Sequence, residues 1–212
     1  MSVERAPIQV GIDYDGVFIE KAKSHDIFRR ATKFALPSLP GVVEGVNFLR
    51  RQPDVNVFGV YTVRPEWLRE GQTKRQVLKR DYPVERIVHT TNSPKDKIRQ
   101  LLFASVGFDK VASSQTFDDS YLHERLQRRA ERFGLKRIIL IDDSTQKIVD
   151  ATKQLYDEEP EIRPLLERFT HIAFNPKQPG QFEGLIIPGV IHVITMRNWS
   201  EIRKVTEQIR QI

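Results

Sequence analysis

No cysteine occurs among the 212 residues. Its absence excludes disulfides, thiolate metal centres and a cysteine nucleophile, and it suits an intracellular compartment. No apolar run approaches the ~20 residues that a membrane helix requires. The start, Met1 to Pro7, has no apolar signal core. Together these features predict a soluble, cytoplasmic protein with no membrane partner. Repeats, low-complexity tracts and linkers are also missing, and residues 157–160 and 177–180 read as surface loops. The five histidines, His25, His89, His123, His171 and His192, show no ligand spacing and read as structural. A chain of this length buries roughly 70% of its unfolded surface, so one domain spanning 1–212 is expected.

What is present is organised around strand tips. The segment Ile8 to Val17 opens on a short apolar run that reads as a strand buried on both faces, with Asp13 and Asp15 just past the end of that run and before Gly16. In open α/β sheets, ligands collect at the carboxyl ends of strands. Two carboxylates this close repel each other unless a cation or a shared proton intervenes. Val57 to Tyr61 is a second buried-strand pattern. It ends in Thr62, with Val63 and Arg64 leading to Pro65, which suits the first position of a helix. Ile138 to Ile141 is a third, ending in Asp142, Asp143 and Ser144 ahead of the helical pattern Ile148, Val149, Thr152 and Leu155. Between them, Ser93 reads as an N-cap, Pro94 as the first helical residue and Asp96 as the third, with Ile98, Leu101 and Leu102 as the apolar stripe. Lys95 and Lys97 then lie near that helix's N-terminus.

Taken in order, Asp13-x-Asp15-Gly16, Thr62, Lys97 and Asp142-Asp143 resemble the four motifs of the haloacid dehalogenase-like phosphohydrolase superfamily. Pro40 to Arg50 looks like the helix that precedes the threonine strand there, and Thr170 to Asn175 like the strand that follows the acidic motif. The resemblance covers roughly positions 7 to 210, and chance rarely supplies all four elements at strand tips in sequence. It implies an α/β fold, a three-layer α/β/α sandwich with a central, mainly parallel, Rossmann-like sheet. It also implies a Mg²⁺-dependent phosphatase, a phosphoric monoester hydrolase.

The residues suit that chemistry. Phosphoryl transfer needs an in-line nucleophile, a proton donor for the leaving oxygen and positive charge on the equatorial oxygens. Asp13 can attack phosphorus and form an aspartyl-phosphate. Asp15 can protonate the leaving alkoxide and then deprotonate the hydrolytic water. Mg²⁺ takes one or two carboxylates plus waters and substrate phosphate, which Asp13 and Asp142 can supply, with Asp143 orienting a bound water. The resemblance adds the backbone carbonyl of Asp15 as a metal ligand, Thr62 as a partner for a phosphoryl oxygen, and Lys97 as the neutralising cation. Arg64 stands as a substrate contact or a solvated side chain.

Alternatives remain at several points. In the family the lysine usually lies closer to the acidic motif than Lys97 lies to Asp142, which leaves Lys95 and Lys110 in contention. Phe117-Asp118-Asp119-Ser120 is a rival acidic motif before a second helical pattern, Leu122, Leu126, Ala130 and Phe133, with Gly134 just past its end. Asp142-Asp143 is preferred because Ile138 to Ile141 is the better buried strand, and Asp118 reads as a helix cap. Too few residues separate the motifs for an independent cap domain, so small lids are expected at 18–39 and 107–134. In the resembling family an open cleft tends to accompany larger substrates.

The formal charge is +6 with a sequence pI near 9.6. Its excess is concentrated in Arg125, Arg128, Arg129, Arg132, Lys136 and Arg137, and in Lys74, Arg75, Lys79 and Arg80. Such runs are normally solvated helix faces, and their sharper reading is an anionic partner. A phosphorylated small molecule is the leading substrate class; a nucleotide or nucleic-acid end is the alternative. Two other functions compete: a non-catalytic phosphate-binding or protein-interaction module on the same scaffold, and a receiver-type signalling domain. In a receiver domain the acidic pair comes first, which is the reverse of the order here.

Overall fold

The computed structural model describes residues 6–20, 38–62, 87–89, 93–107, 119–175, 184–187 and 191–212. Runs of β-branched and aromatic residues form the strands. These are β1 (Ile8–Asp13), β2 (Val55–Thr62), β3 (Ile87–His89), β4 (Arg137–Asp142), β5 (Phe169–Phe174), β6 (Gly184–Ile187) and β7 (Ile191–Met196). Every residue of β1 and β5 is buried, and all of β4 beyond Arg137, as a strand covered on both faces requires. The seven strands make one sheet in the order β3-β2-β1-β4-β5-β7-β6. Pairing is parallel throughout except for β6, which runs antiparallel to β7.

Helices cover both faces. On one, Val42, Val46 and Leu49 of α1 (Val42–Arg50) and Ile202, Val205 and Ile209 of α6 (Ile202–Gln211) pack on Val10, Ile12, Ile139 and Ile141. On the other, Ile98, Leu101 and Leu102 of α2 (Pro94–Ser105) and Ile148 and Leu155 of α4 (Thr145–Glu158) pack on Ile138 and Leu140. Alternate residues of β4 thus feed opposite layers, the period of two that a pleated strand imposes. The result is a three-layer α/β/α sandwich around a mainly parallel sheet. The short α5 (Arg163–Leu166) follows a 3₁₀ turn at Pro160–Ile162 and adds Leu165 and Leu166 to the second layer.

Two of the helix signals in the sequence act as expected, while Pro65 lies outside the described residues. The Ser93 side chain accepts from the Asp96 backbone N–H at 3.0 Å, with Pro94 in the first turn. Helix α3 (Asp119–Arg132) buries Leu126 and Ala130 and is followed by Gly134 at φ 58°. Within the stretch 107–134 this helix therefore belongs to the flanking layer, while 108–118, with Lys110 and Asp118, lie outside the described residues. Most of the other lid stretch, residues 21–37, is outside them too, as is Arg64.

The topology fixes where a site can lie. From β1 the chain moves outward through β2 to β3, then returns to β4 on the other side of β1. A crevice opens at such a switch point, beyond the carboxyl ends of the two strands. Asp13 ends β1 and Asp142 ends β4.

Candidate active site

Register decides which way these end residues point. Leu140 faces the layer of α2 and α4, and Asp142, two residues on, shares its side. From that layer Lys97 reaches in from the first turn of α2. Its Nζ donates to Asp13 Oδ1 and to Asp142 Oδ2, each at 2.7 Å, with all three side chains buried. Lys95, two positions earlier, is turned away by about 200° of helix rotation. It pairs instead with Glu158 of α4. Among the described residues the structure thus brings Lys97, not Lys95, to the aspartates. The extra chain between α2 and β4 includes α3, which accounts for part of the long spacing from Lys97 to Asp142.

One ammonium does not neutralise two buried carboxylates. Burial, and next the Asp142 charge, hold the Asp13 carboxyl well above the usual carboxylate range although Lys97 pulls it down. Burial lowers the Lys97 pKa, but Asp13 and Asp142 outweigh it, and the ammonium is held more firmly than in water. Asp143 adds a third carboxylate. Ligand oxygens of Asp13, Asp142 and Asp143 lie within 4.8 Å of one another, so the group could hold a metal ion. An all-carboxylate donor set suits a hard cation. The Asp15 carboxylate is not part of this trio; the Thr62 hydroxyl donates to it at 3.4 Å.

Backbone geometry keeps the acids close. Asp142 Oδ1 accepts the Ser144 backbone N–H at 2.7 Å, and the Ser144 hydroxyl donates to Asp143 Oδ1 at 3.1 Å. Gly16 adopts φ 87°, and a Cβ there would fall 2.4 Å from Asp143 Oδ2. The glycine therefore supplies both a left-handed turn and room for the carboxylate. The turn Tyr14 to Ile19 is closed by the Gly16 N–H donating to Ile19 O and the Phe18 N–H to Tyr14 O. It is tied to β2 by the Tyr14 N–H donating to Tyr61 O at 2.9 Å.

Three supporting residues carry no signal of their function in the sequence. Trp199, 182 positions away, donates its indole N–H to Val17 O at 2.9 Å and packs on Phe18 and Phe174. Gly45 makes room for it, since a Cβ there would lie 2.3 Å from the indole ring. His171 is fully buried in β5, between Leu140 O (3.2 Å from Nδ1) and the Thr145 hydroxyl (3.3 Å from Nε2). A carbonyl can only accept, so Nδ1 carries the proton and Nε2 accepts. Burial pushes its pKa down to about 4, and the imidazole is neutral. Strand alternation would have placed His171 inside, but not against α4.

Of the rival acidic pair, Asp118 lies outside the described residues. Asp119 opens α3, and among the described residues the acidic cluster able to hold a metal is formed by Asp13, Asp142 and Asp143 alone. No helix among the described residues is long and apolar enough to cross a membrane. No family model, curated protein or solved structure matches the chain.

Proposed function

We propose that the chain hydrolyses phosphomonoesters with Mg²⁺, through an aspartyl-phosphate on Asp13. The observation that carries this reading is Lys97 bridging Asp13 and Asp142 at the tips of adjacent parallel strands, with Asp143 completing a trio of hard oxygen donors. The motif order that resembles haloacid dehalogenase-like phosphohydrolases agrees with it.

The steps assign one task to each residue. An Asp13 oxygen attacks phosphorus in line, and the P–O ester bond breaks with its electron pair leaving on the alkoxide. Asp15 gives that oxygen a proton, then takes one from the water that attacks the aspartyl-phosphate, releasing inorganic phosphate and restoring Asp13. Lys97 neutralises charge between Asp13 and the phosphoryl oxygens, and Thr62 donates to one of those oxygens. Bound Mg²⁺, held by Asp13, Asp142 and Asp143, would supply the positive charge that one lysine leaves short and would favour ionised Asp13. The substrate is a small phosphorylated molecule, and nucleotide or nucleic-acid ends form the second class to screen.

Turnover of p-nitrophenyl phosphate tests this directly. The wild-type chain should release nitrophenol with Mg²⁺ and stop in EDTA. Asp142→Asn should need far more Mg²⁺, and Asp13→Asn should be inactive at any concentration. A wild-type chain inert across phosphorylated metabolites and oligonucleotides would leave a non-catalytic phosphate-binding scaffold as the reading.

A further inference from the structure

At the opposite pole of the sheet a cavity of about 630 Å³ opens where β1 and β4 begin. Backbone hydrogen bonds tie the lining segments together: the Lys136 and Arg137 N–H groups both donate to Pro7 O (2.8 and 3.1 Å), and that of Ile8 donates to Asp54 O at 3.0 Å. Ile8, Leu135, Ile209 and Ile212 give it an apolar wall. Lys136, Arg137, Arg168 and Arg210 bring four cations to it, against Asp54 and Glu167. One of the two acids is already committed, because Asp54 takes a two-pronged contact from Arg210 at 2.7 and 2.8 Å.

Arg137 is the informative residue. Its guanidinium is half-buried and has no hydrogen-bond or ion-pair partner among the described residues, although buried charges are normally paired. Arg168 beside it is held by its own donors to Leu135 O, at 3.1 Å, and to Pro164 O. Burial first, and then the Arg168 charge, press the Arg137 pKa down. Two guanidinium groups repelling each other on an apolar-walled cavity, neither of them in an ion pair with an acid among the described residues, form a place for a doubly charged anion.

The geometry points to a second ligand site here, taking a phosphate dianion that carries an apolar or ring body, with the phosphate against Arg137 and Arg168 and the body against Ile8, Leu135 and Ile209. Five strand steps of about 3.3 Å separate Ile8 from Asp13, so the site lies roughly 17 Å from the aspartates. It is independent of the proposed hydrolysis.

Calorimetric titration of the full chain with phenylphosphonate, which has no ester bond to hydrolyse, is the test, run in EDTA to silence the metal-dependent site. Saturable binding is expected, tighter than for inorganic phosphate or benzoate. Arg137→Gln should weaken it about tenfold or more, the scale of one lost charged hydrogen bond, while Asp142→Asn leaves it unchanged. Arg137→Gln should also raise the melting temperature of the unliganded protein, because it removes a half-buried, repelled charge. A merely structural arginine would lower it. Absence of saturable binding, equal affinity for benzoate, or binding that survives Arg137→Gln and disappears in Asp142→Asn would each overturn the proposal.

Discussion

Lys97 holds the centre of the site, and its removal has two separable consequences. Taking one partner from a buried ion pair strands the remaining charges at a cost of about 3–5 kcal/mol. Lys97→Met should therefore lower stability by that order in EDTA, and Mg²⁺ should restore part of the loss by supplying the missing positive charge. Denaturant titrations with and without the cation check this; a Lys97→Met protein as stable as wild type would mean that the pair contributes little. Lys95→Ala should be almost silent, since its partner Glu158 is an exposed carboxylate and exposed pairs are worth about 0–1 kcal/mol. The sequence alone left these two lysines open because both sit in one helical turn, and only the rotation between them separates the site from the surface of α4. His171 gives a prediction in pH. Its folded pKa of about 4 lies below the ordinary 6.5. The stability tied to neutral His171 is therefore complete above about pH 6.5 and is lost as pH falls toward 4. The shift corresponds to a loss on the order of 3 kcal/mol. His171→Asn should flatten the stability profile in that window, and a profile unchanged from wild type would show that His171 does not titrate this way.

Elements place these residues, and some elements were far more legible than others. The strands β1 and β4 announce themselves because burial on both faces leaves an apolar run ending in acids, unbroken over Ile138 to Ile141 and interrupted only by Gln9 in β1. Helix α2 does so through Ser93, Pro94 and Asp96, whose capping bond is present. The register of β2 was not legible. Val10 pairs with Val57 while Gly11 pairs with Gly59, so one extra residue of β2 is inserted. That bulge lets Val55, Val57 and Val60 all face one layer while Tyr61 faces the other. No local pattern encodes it. The Tyr14–Ile19 turn is likewise held from a distance, by Trp199. Trp199→Phe keeps most of the ring packing and leaves Val17 O without its donor, a loss of about 1–3 kcal/mol for a buried carbonyl. On the proposed mechanism this variant should reduce kcat more than KM, since the turn carries Asp15. Gly16→Ala should act on the metal instead, driving Asp143 away and weakening Mg²⁺ affinity. Equal effects of both variants on Mg²⁺ affinity would contradict this division of roles.

Across the whole molecule, chemistry is divided between the two ends of one sheet. Acids gather where β1 and β4 finish, at the crevice created when the chain crosses from β3 back to β4, and arginines gather where the same strands begin. The fold class was readable from the sequence because alternating strand and helix patterns admit few arrangements besides a parallel sheet with helices on both faces. The basic pole was visible only as a charge run, since nothing in the order of residues shows that Arg137 and Arg168 meet on one cavity wall. The central claim concerns a covalent bond at one carboxylate. The most direct measurement is acid quenching of the Mg²⁺-loaded chain during turnover of p-nitrophenyl phosphate, followed by borohydride reduction and peptide mass mapping. Reduction of an aspartyl-phosphate converts that aspartate to homoserine, and the account predicts homoserine at position 13 and at no other aspartate. Sustained turnover with Asp13 unmodified, or homoserine at another aspartate, would contradict it.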